Sequence, residues 1–311
     1  MGPAKLDIAA MESVLTLIVD PAQAGLDDSM VSTVRRAFAD LGADTGAAIW
    51  LAPGIACDIP FGLLALDQAD AAARMALGTA PVDVVAVASE GRRKQLLVAD
   101  MDSTIVTGET LDELAANLGP EMKKVIAGIT ARAMNGEIDF KEALRLRVSY
   151  LKGLPETALQ ATYDQVTLTP GARVLVQTMK AHGARAILVS GGFSFFTERV
   201  GRTCGFDRDL SNRFDIEGGL LTGKVIEPIL DRDTKYDTLV ANAAEHKLPL
   251  AATCAVGDGA NDLDMIKAAG LGVAYHAKPI VAAEARVRID HGDLTALLYA
   301  QGYRRDEFVG V

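Results

Sequence analysis

The 311-residue sequence predicts an α/β protein with a doubly wound parallel sheet, an inserted helical cap and a smaller N-terminal α+β unit. Short apolar runs without polar alternation, such as residues 96–99, are typical of strands buried on both faces of a parallel sheet. Helical patterns separate these runs, as the crossover connections of parallel strands require. One helical stretch is too long for a crossover and predicts the cap. We expect the N-terminal unit at residues 1–90 and the larger unit at 91–311, with the cap at about 110–168.

The N-terminal unit has the element order βαββαβ, which is that of a ferredoxin-like fold. This order and the turn at residues 20–25 resemble the ACT domains, which are small amino-acid-binding regulatory domains. A structural or dimerising unit remains an alternative, including a homodimer formed through this unit. The polar segment 90–95 is the expected linker. We expect strands at residues 14–19, 47–52, 61–66 and 82–88, helices at 29–41 and 67–77, and a turn-rich stretch at 53–60.

In the larger unit, buried strands alternate with helices, which is the pattern of a doubly wound fold. We expect strands at residues 96–99, 184–189, 251–256, 271–275 and 287–289, helices at 195–204, 235–246, 263–269, 279–285 and 294–300, and a hairpin at 213–229. The cap is expected to hold four helices, at residues 111–118, 121–134, 140–152 and 156–166.

Composition limits the classes of function. The chain has 41 acidic and 31 basic residues, so its formal net charge is −10, and it has no basic tract. Both facts argue against a nucleic-acid partner. No run approaches the roughly 18 apolar residues of a membrane helix, and no signal peptide is recognised. The three cysteines are widely spaced and are expected to be free thiols. We therefore expect a cytoplasmic protein without a membrane partner.

Polar residues follow the predicted strands where each strand ends. They are Asp100 and Asp102 after the first strand, Ser190 and Gly191 after the second, and Asp258, Asn261 and Asp262 after the third, with Lys235 at an intervening helix start. Parallel strands bring these ends to one edge of the sheet, where ligands bind. Clustered carboxylates favour a hard cation such as Mg²⁺. A hydroxyl, backbone N–H groups and an ammonium suit a phosphoryl group. Singly, each residue also fits a turn, a helix cap or a solvated surface.

These four segments resemble the four motifs of the haloacid dehalogenase superfamily of phosphatases. The resemblance covers the chain from about residue 96 onward, and Glu109 and residues 144–149 make it similar to the phosphoserine phosphatases. It implies that Asp100 is the nucleophile that forms an aspartyl-phosphate, and that Asp102 acts as general acid and base. It also implies a Mg²⁺ ion held by Asp100, the main-chain carbonyl of Asp102 and Asp258, with Asp262 orienting the metal site. Ser190, Gly191, Lys235 and Asn261 would then bind the substrate.

The same resemblance assigns substrate choice to the cap. Glu109 would bind the ammonium group of O-phosphoserine and Arg147 its carboxylate, in the last step of serine biosynthesis. Two alternatives stay open at this point. One is a phosphotransferase of the same superfamily. The other is an amino-acid sensor led by the N-terminal unit, with an inactive phosphatase body, which the intact set of acids disfavours.

Overall fold

The structure is a computed structural model that describes residues 11–23, 25–134 and 137–311, and these residues form two β-sheets. The first sheet is antiparallel and has the strand order β2-β4-β1-β5, with β3 also paired to β4. The order of elements confirms the ferredoxin-like prediction; β3 corresponds to the second predicted strand, and the short β2 before it was not predicted. The elements are β1 (Ser13–Ile18), α1 (Asp28–Asp40), β2 (Asp44–Thr45), β3 (Ile49–Ala52), β4 (Ala56–Gly62), α2 (Leu66–Leu77) and β5 (Asp83–Ala88).

One strand of this sheet was predicted in the wrong place. We expected turns at residues 53–60 and a strand at 61–66, but β4 occupies Ala56–Gly62 and is buried along most of its length. Asp58 and Pro60 are turn-type residues and misled the prediction. Asp58 is tolerated inside β4 because its buried carboxylate accepts a hydrogen bond from Thr16 Oγ1 at 2.8 Å and another from Arg92.

The second sheet has seven strands in the order β12-β11-β10-β6-β7-β8-β9. Strand β6 lies at its centre, parallel to both β7 and β10, and the chain order reverses between β6 and β10. This is the predicted doubly wound sheet. Its strands are β6 (Leu96–Ala99), β7 (Arg185–Phe193), β8 (Arg208–Glu217), β9 (Leu220–Ile226), β10 (Thr253–Gly257), β11 (Leu271–Tyr275) and β12 (Val287–Ile289). The antiparallel pairing of β8 with β9 begins at Arg213, where the hairpin was predicted to begin, and the first half of β8 extends further back and pairs with β7.

Four helices between β6 and β7 form the cap: α3 (Thr110–Ala115), α4 (Pro120–Met134), α5 (Phe140–Ser149) and α6 (Thr157–Tyr163). The base of the cap is closed by an antiparallel bridge between Val106 and Leu168. Among the described residues, the cap shares the core of the sheet, because Leu144 and Val148 belong to the same buried apolar cluster as Leu97 of β6. Helix α5 is therefore packed directly over the edge of the sheet.

The remaining helices lie in the connections between strands of the second sheet, except the last, which follows β12. They are α7 (Ala172–Ala181), α8 (Ser194–Cys204), α9 (Arg232–Glu245), α10 (Leu263–Ala268), α11 (Pro279–Glu284) and α12 (Ala296–Ala300). Among the described residues, no helix combines the length and the apolar character that a membrane crossing needs.

The two sheets are joined by polar contacts that the sequence did not reveal. Arg92, in the expected linker, donates to Asp58 and Thr16 of the first sheet and to the carbonyl oxygens of Tyr299 and Ala300. The fully buried carboxylate of Asp83 accepts the backbone N–H groups of residues 290 and 292 at 2.7 Å, and that of residue 291 at 3.2 Å. Segment 90–95, the expected linker, is therefore held in place by the hydrogen bonds of Arg92.

Replacing Asp83 is expected to destabilise the protein. The Asp83→Ala variant would leave three backbone N–H groups without their acceptor, which we expect to lower the free energy of unfolding by about 3 kcal/mol. Urea denaturation measures this change. Asp70→Ala, which removes a partly exposed ion pair with Arg74 within α2, is the matched control and should cost less than about 1 kcal/mol. Equal small losses in both variants would refute the proposed role of Asp83 at the junction.

Candidate active site

The site lies at the edge of the second sheet where the strand order reverses. Ala99, the last residue of β6, is paired with Val256 of β10 and with Leu188 of β7. The residues that follow in each chain segment therefore meet at this edge: Asp100 after β6, Asp258 after β10 and Ser190 within β7. Crevices of this kind are the usual ligand sites of open α/β sheets.

A buried lysine lies between two of the acids. Lys235 Nζ is 2.7 Å from Asp100 Oδ1 and 2.6 Å from Asp262 Oδ1, and the residue is 2% exposed. It stands in the first turn of α9, as its predicted place at a helix start requires. Burial by itself would lower the pKa of Lys235, but the two carboxylates outweigh burial and raise it above its usual value. The lysine is therefore a fixed positive charge.

Three carboxylates converge around this charge. One oxygen each of Asp100, Asp258 and Asp262 lies within 4.8 Å of the others, and all three residues are buried. Burial, then the charge of Asp262, raises the pKa of Asp100 well above its usual value, although Lys235 opposes the shift. Burial likewise raises the pKa of Asp258, although Lys278 Nζ lies 3.1 Å from its Oδ2. Three buried carboxylates that converge in this way offer hard oxygen donors, which are a set that a divalent cation such as Mg²⁺ fits.

Two glycines allow the close packing at this edge. A Cβ atom at Gly257 would lie 2.3 Å from Asp262 Cγ, so only glycine lets Asp262 fold back against the end of β10. There Asp262 Oδ2 accepts the Gly259 N–H at 3.0 Å. A Cβ atom at Gly191 would lie 2.8 Å from Cζ of Phe140, the first residue of cap helix α5. The cap thus rests on the sheet edge at Gly191.

Asp102 is held by bonds from both sides of the crevice. Its Oδ1 accepts the Thr110 N–H at 2.7 Å, and its Oδ2 accepts the Ser190 hydroxyl at 3.1 Å. Ser190 Oγ in turn accepts the Gly192 N–H at 2.8 Å. These bonds link the start of the cap to β7 through one carboxylate, which fixes its orientation.

Glu109 and Arg147 approach the same space from the cap. Ser103, whose φ of +56° is left-handed, donates its hydroxyl to Glu109 Oε1 at 2.7 Å. Burial, and next the charge of Asp102, raises the pKa of Glu109 to about 7. Arg147 on α5 is buried, and its Nη1 donates to Thr130 Oγ1 at 3.0 Å. The cavity between these groups and the sheet edge measures about 60 Å³.

The structure brings nearly all of the predicted site residues to this cavity. Lys235 and Asp262 lie behind Asp100 and do not line it. Asp262, which we expected to orient the metal site, does contribute an oxygen to the carboxylate cluster. The predicted residues that line the cavity are Asp100, Asp102, Glu109, Arg147, Ser190, Gly191, Asp258 and Asn261.

Sequence reasoning missed several neighbours of the site. Leu144 lines the cavity three residues before Arg147 on the same face of α5, so helical spacing could have found it. Lys278 follows β11 and contacts Asp258, so the strand-end rule could have found it as well. Leu111 also lines the cavity and Thr130 contacts Arg147, and neither carried a signal that we can identify.

A comparison with models of known protein families identifies the family of this chain. A model of the haloacid dehalogenase-like hydrolases matches residues 97–267, which is more than half of the chain and includes all of the residues that line the cavity. The chain belongs to this family. The match begins within β6 and ends within α10, so it contains the segments that supply the buried acids and Lys235.

Two curated relatives with high sequence identity to this chain are both named phosphoserine phosphatase. The chain is 45% identical over 205 residues to the phosphoserine phosphatase of Lactococcus lactis, which is 66% of this chain and 94% of that protein. It is 43% identical over 216 residues to phosphoserine phosphatase SerB2 of Mycobacterium tuberculosis, which is 70% of this chain but only 52% of that protein. The chain thus spans about half of the mycobacterial relative.

A solved structure of similar fold is described as a phospho-aspartyl intermediate analogue of phosphoserine phosphatase. It has a TM-score of 0.63 and 37% sequence identity to this hydrolase, and it covers 68% of this chain and 100% of that one.

Removing the buried lysine is expected to destabilise this hydrolase. Lys235→Met would leave Asp100 and Asp262 without the charge between them, and loss of one partner of a buried ion pair typically costs about 3–5 kcal/mol. Urea denaturation tests this. Lys267→Met, which removes an ion pair with Glu284 at the surface, is the matched control and should cost less than about 1 kcal/mol. A Lys235→Met variant no less stable than the control would contradict the assignment of a compensating charge.

Proposed function

We propose that this hydrolase is a Mg²⁺-dependent phosphoserine phosphatase that converts O-phospho-L-serine to L-serine and inorganic phosphate. The observation that carries the proposal is a single cavity with two sets of groups. Asp100 and the other acids at the sheet edge suit phosphoryl transfer, and Glu109 and Arg147 in the cap suit an ammonium and a carboxylate. The names of the relatives support the same substrate.

Asp100 is the proposed nucleophile. The Met101 N–H and Lys235 Nζ both bond to its Oδ1, at 2.8 and 2.7 Å, so we assign Oδ2 to attack on phosphorus. The new bond joins Oδ2 to phosphorus while the bond from phosphorus to the serine oxygen breaks, and an aspartyl-phosphate results. The similar solved structure, which is described as a phospho-aspartyl intermediate analogue of phosphoserine phosphatase, supports this route.

Asp102 is the proposed general acid and base. It would donate a proton to the departing serine oxygen, which is a poor leaving group as an alkoxide. It would then accept a proton from the water that attacks phosphorus, which releases inorganic phosphate and restores the Asp100 carboxylate. The bonds from Thr110 and Ser190 hold the Asp102 carboxylate in the cavity wall for both steps.

Charge around the phosphoryl group comes from the sheet edge. Asp100, Asp258 and the main-chain carbonyl of Asp102 would hold Mg²⁺, with Asp262 beside them. When bound, this ion supplies the positive charge that lets a carboxylate and a phosphate approach each other. Ser190, Gly191 and Asn261 line the cavity where they can bind phosphoryl oxygens, and Lys235 adds its charge from behind Asp100.

The cap supplies the groups that select an amino-acid substrate. Glu109 accepts a bond from Ser103 and would pair with the substrate ammonium, whose charge favours the ionised form of this elevated-pKa carboxyl. Arg147 presents a planar set of donors that matches a carboxylate. The substrate ammonium would therefore pair with Glu109, and the substrate carboxylate with Arg147.

The nucleophile is tested by Asp100→Asn. An amide at this position is a far weaker nucleophile, so phosphate release from O-phosphoserine with Mg²⁺ should fall by at least about 1,000-fold while the fold is kept. Asp264→Asn, at an exposed ion pair with Arg232, is the matched control and should keep full activity. Activity of Asp100→Asn within tenfold of the unmodified enzyme would refute the covalent route.

Metal dependence is tested by thermal unfolding as well as by activity. Mg²⁺ that binds only the folded protein should raise the unfolding temperature, with a gain of about 2.7 kcal/mol at 100 times the dissociation constant. Asp258→Asn should lose this shift and Asp264→Asn should keep it. Chelation should abolish activity, and added Mg²⁺ should restore it. Full activity in a chelator together with an unchanged unfolding temperature would refute the metal assignment.

Recognition of the carboxylate is tested by Arg147→Met. Phosphoethanolamine has the phosphate and ammonium of phosphoserine but no carboxylate, so it isolates the contribution of Arg147. We expect kcat/KM to fall about 100-fold for O-phosphoserine and less than threefold for phosphoethanolamine. Arg145 lies on the same helix as Arg147 and forms an exposed ion pair with Glu227, so Arg145→Met should change kcat/KM for neither substrate. Equal losses on both substrates would show that Arg147 does not bind the carboxylate.

A further inference from the structure

Three buried polar side chains connect the helices inside the cap. Arg147 on α5 donates from Nη1 to Thr130 Oγ1 on α4 at 3.0 Å. The Thr130 hydroxyl lies 3.0 Å from Asp112 Oδ1 on α3, so it bridges the arginine and the acid. The exposed fractions are 7% for Arg147, 5% for Thr130 and 8% for Asp112. Polar groups buried to this extent are costly unless they bond to one another.

The chain of bonds has a fixed direction. When a hydroxyl oxygen accepts an arginine N–H, the O–H of that hydroxyl donates its hydrogen bond to a different acceptor. Thr130 has two within reach, Asp112 Oδ1 and the Ile126 carbonyl oxygen at 3.1 Å. The charged carboxylate is the stronger acceptor. Asp112 also places a negative charge near the buried guanidinium, which counteracts the effect of burial on the Arg147 pKa.

The arrangement holds Arg147 without occupying all of its donors. Asp112 reaches the guanidinium through the Thr130 hydroxyl, and no ion pair between Asp112 and Arg147 is found in the described part of the chain. Arg147 lines the cavity, and its buried Nε has no hydrogen-bond partner among the described residues. A directly paired acid would compete with a substrate carboxylate for these donors, whereas a hydroxyl takes only one of them.

We propose that Thr130 and Asp112 are positioning residues that orient the Arg147 guanidinium toward the cavity, so that preference for a carboxylate-bearing phosphomonoester depends on them. The specificity part of this inference rests on the proposed function; the orientation part does not. An arginine side chain loses rotamer entropy when it is fixed, and fixing it before the substrate binds lowers the free-energy cost of recognition.

The matched pair Thr130→Val and Thr130→Ser tests the proposal. Valine keeps the branched shape and removes the hydroxyl, whereas serine keeps the hydroxyl. For Thr130→Val we expect kcat/KM for O-phosphoserine to fall by about tenfold or more, mainly through KM, with less than a twofold change for phosphoethanolamine. Thr130→Ser should behave as the unmodified enzyme. Equal losses on both substrates would indicate a structural role and overturn the proposal.

Asp112→Asn probes the far end of the chain of bonds. This variant preserves the shape of the side chain and removes its charge, so the loss should again be confined to O-phosphoserine. Thr130→Val introduced into Arg147→Met should cause no additional loss on O-phosphoserine, because both changes remove the same interaction. Additive losses would overturn the proposal.

One further measurement separates this inference from the proposed function. If the unmodified enzyme shows no preference for O-phosphoserine over phosphoethanolamine, the proposed substrate is wrong, and the orientation of Arg147 is then decided by crystal structures of the unmodified protein and Thr130→Val. A guanidinium that leaves its position in the variant, on an unchanged cap, would support the positioning role. An unmoved guanidinium would overturn it.

Discussion

The buried ammonium of Lys235, between the carboxylates of Asp100 and Asp262, is the interaction on which the site depends. Three buried acids within 4.8 Å of one another repel strongly, and they can be held at one edge only with positive charge between them. Replacing such a cluster with apolar side chains is often neutral or stabilising in other proteins. Its presence here therefore favours a chemical role over a purely structural one.

The rest of the fold serves to bring these charges together and to cover them. The reversal of strand order at β6 and β10 sets Asp100 beside Asp258. The glycine at position 257 lets Asp262 fold back beneath them. Helix α5 shares the apolar cluster of the central sheet, so its burial also fixes where Arg147 meets the cavity. Apolar packing thus positions the polar groups, and the polar groups carry the chemistry.

The sequence was informative where structure is local. Buried strands and the residues at their ends were recognisable because each signal lies within a few residues of chain, and the strand-end rule then grouped Asp100, Ser190 and Asp258 correctly. Sequence reasoning failed where the structural preference of a residue is overridden by a partner that is distant along the chain. Asp58 indicated a turn, yet Arg92, 34 residues away, stabilises it inside β4. Thr130 gave no signal at all, because its role arises only when three cap helices pack together.

The identity of the nucleophile is the central claim, and peptide mapping of enzyme quenched with acid during turnover of O-phosphoserine tests it most directly. We expect a phosphoryl group that is stable in acid and removed by hydroxylamine, as an acyl phosphate is, on the peptide that contains Asp100. Turnover with a phosphoryl group on a different residue, or with none on the protein under conditions in which attack of water is slower than phosphoryl transfer, would contradict the claim.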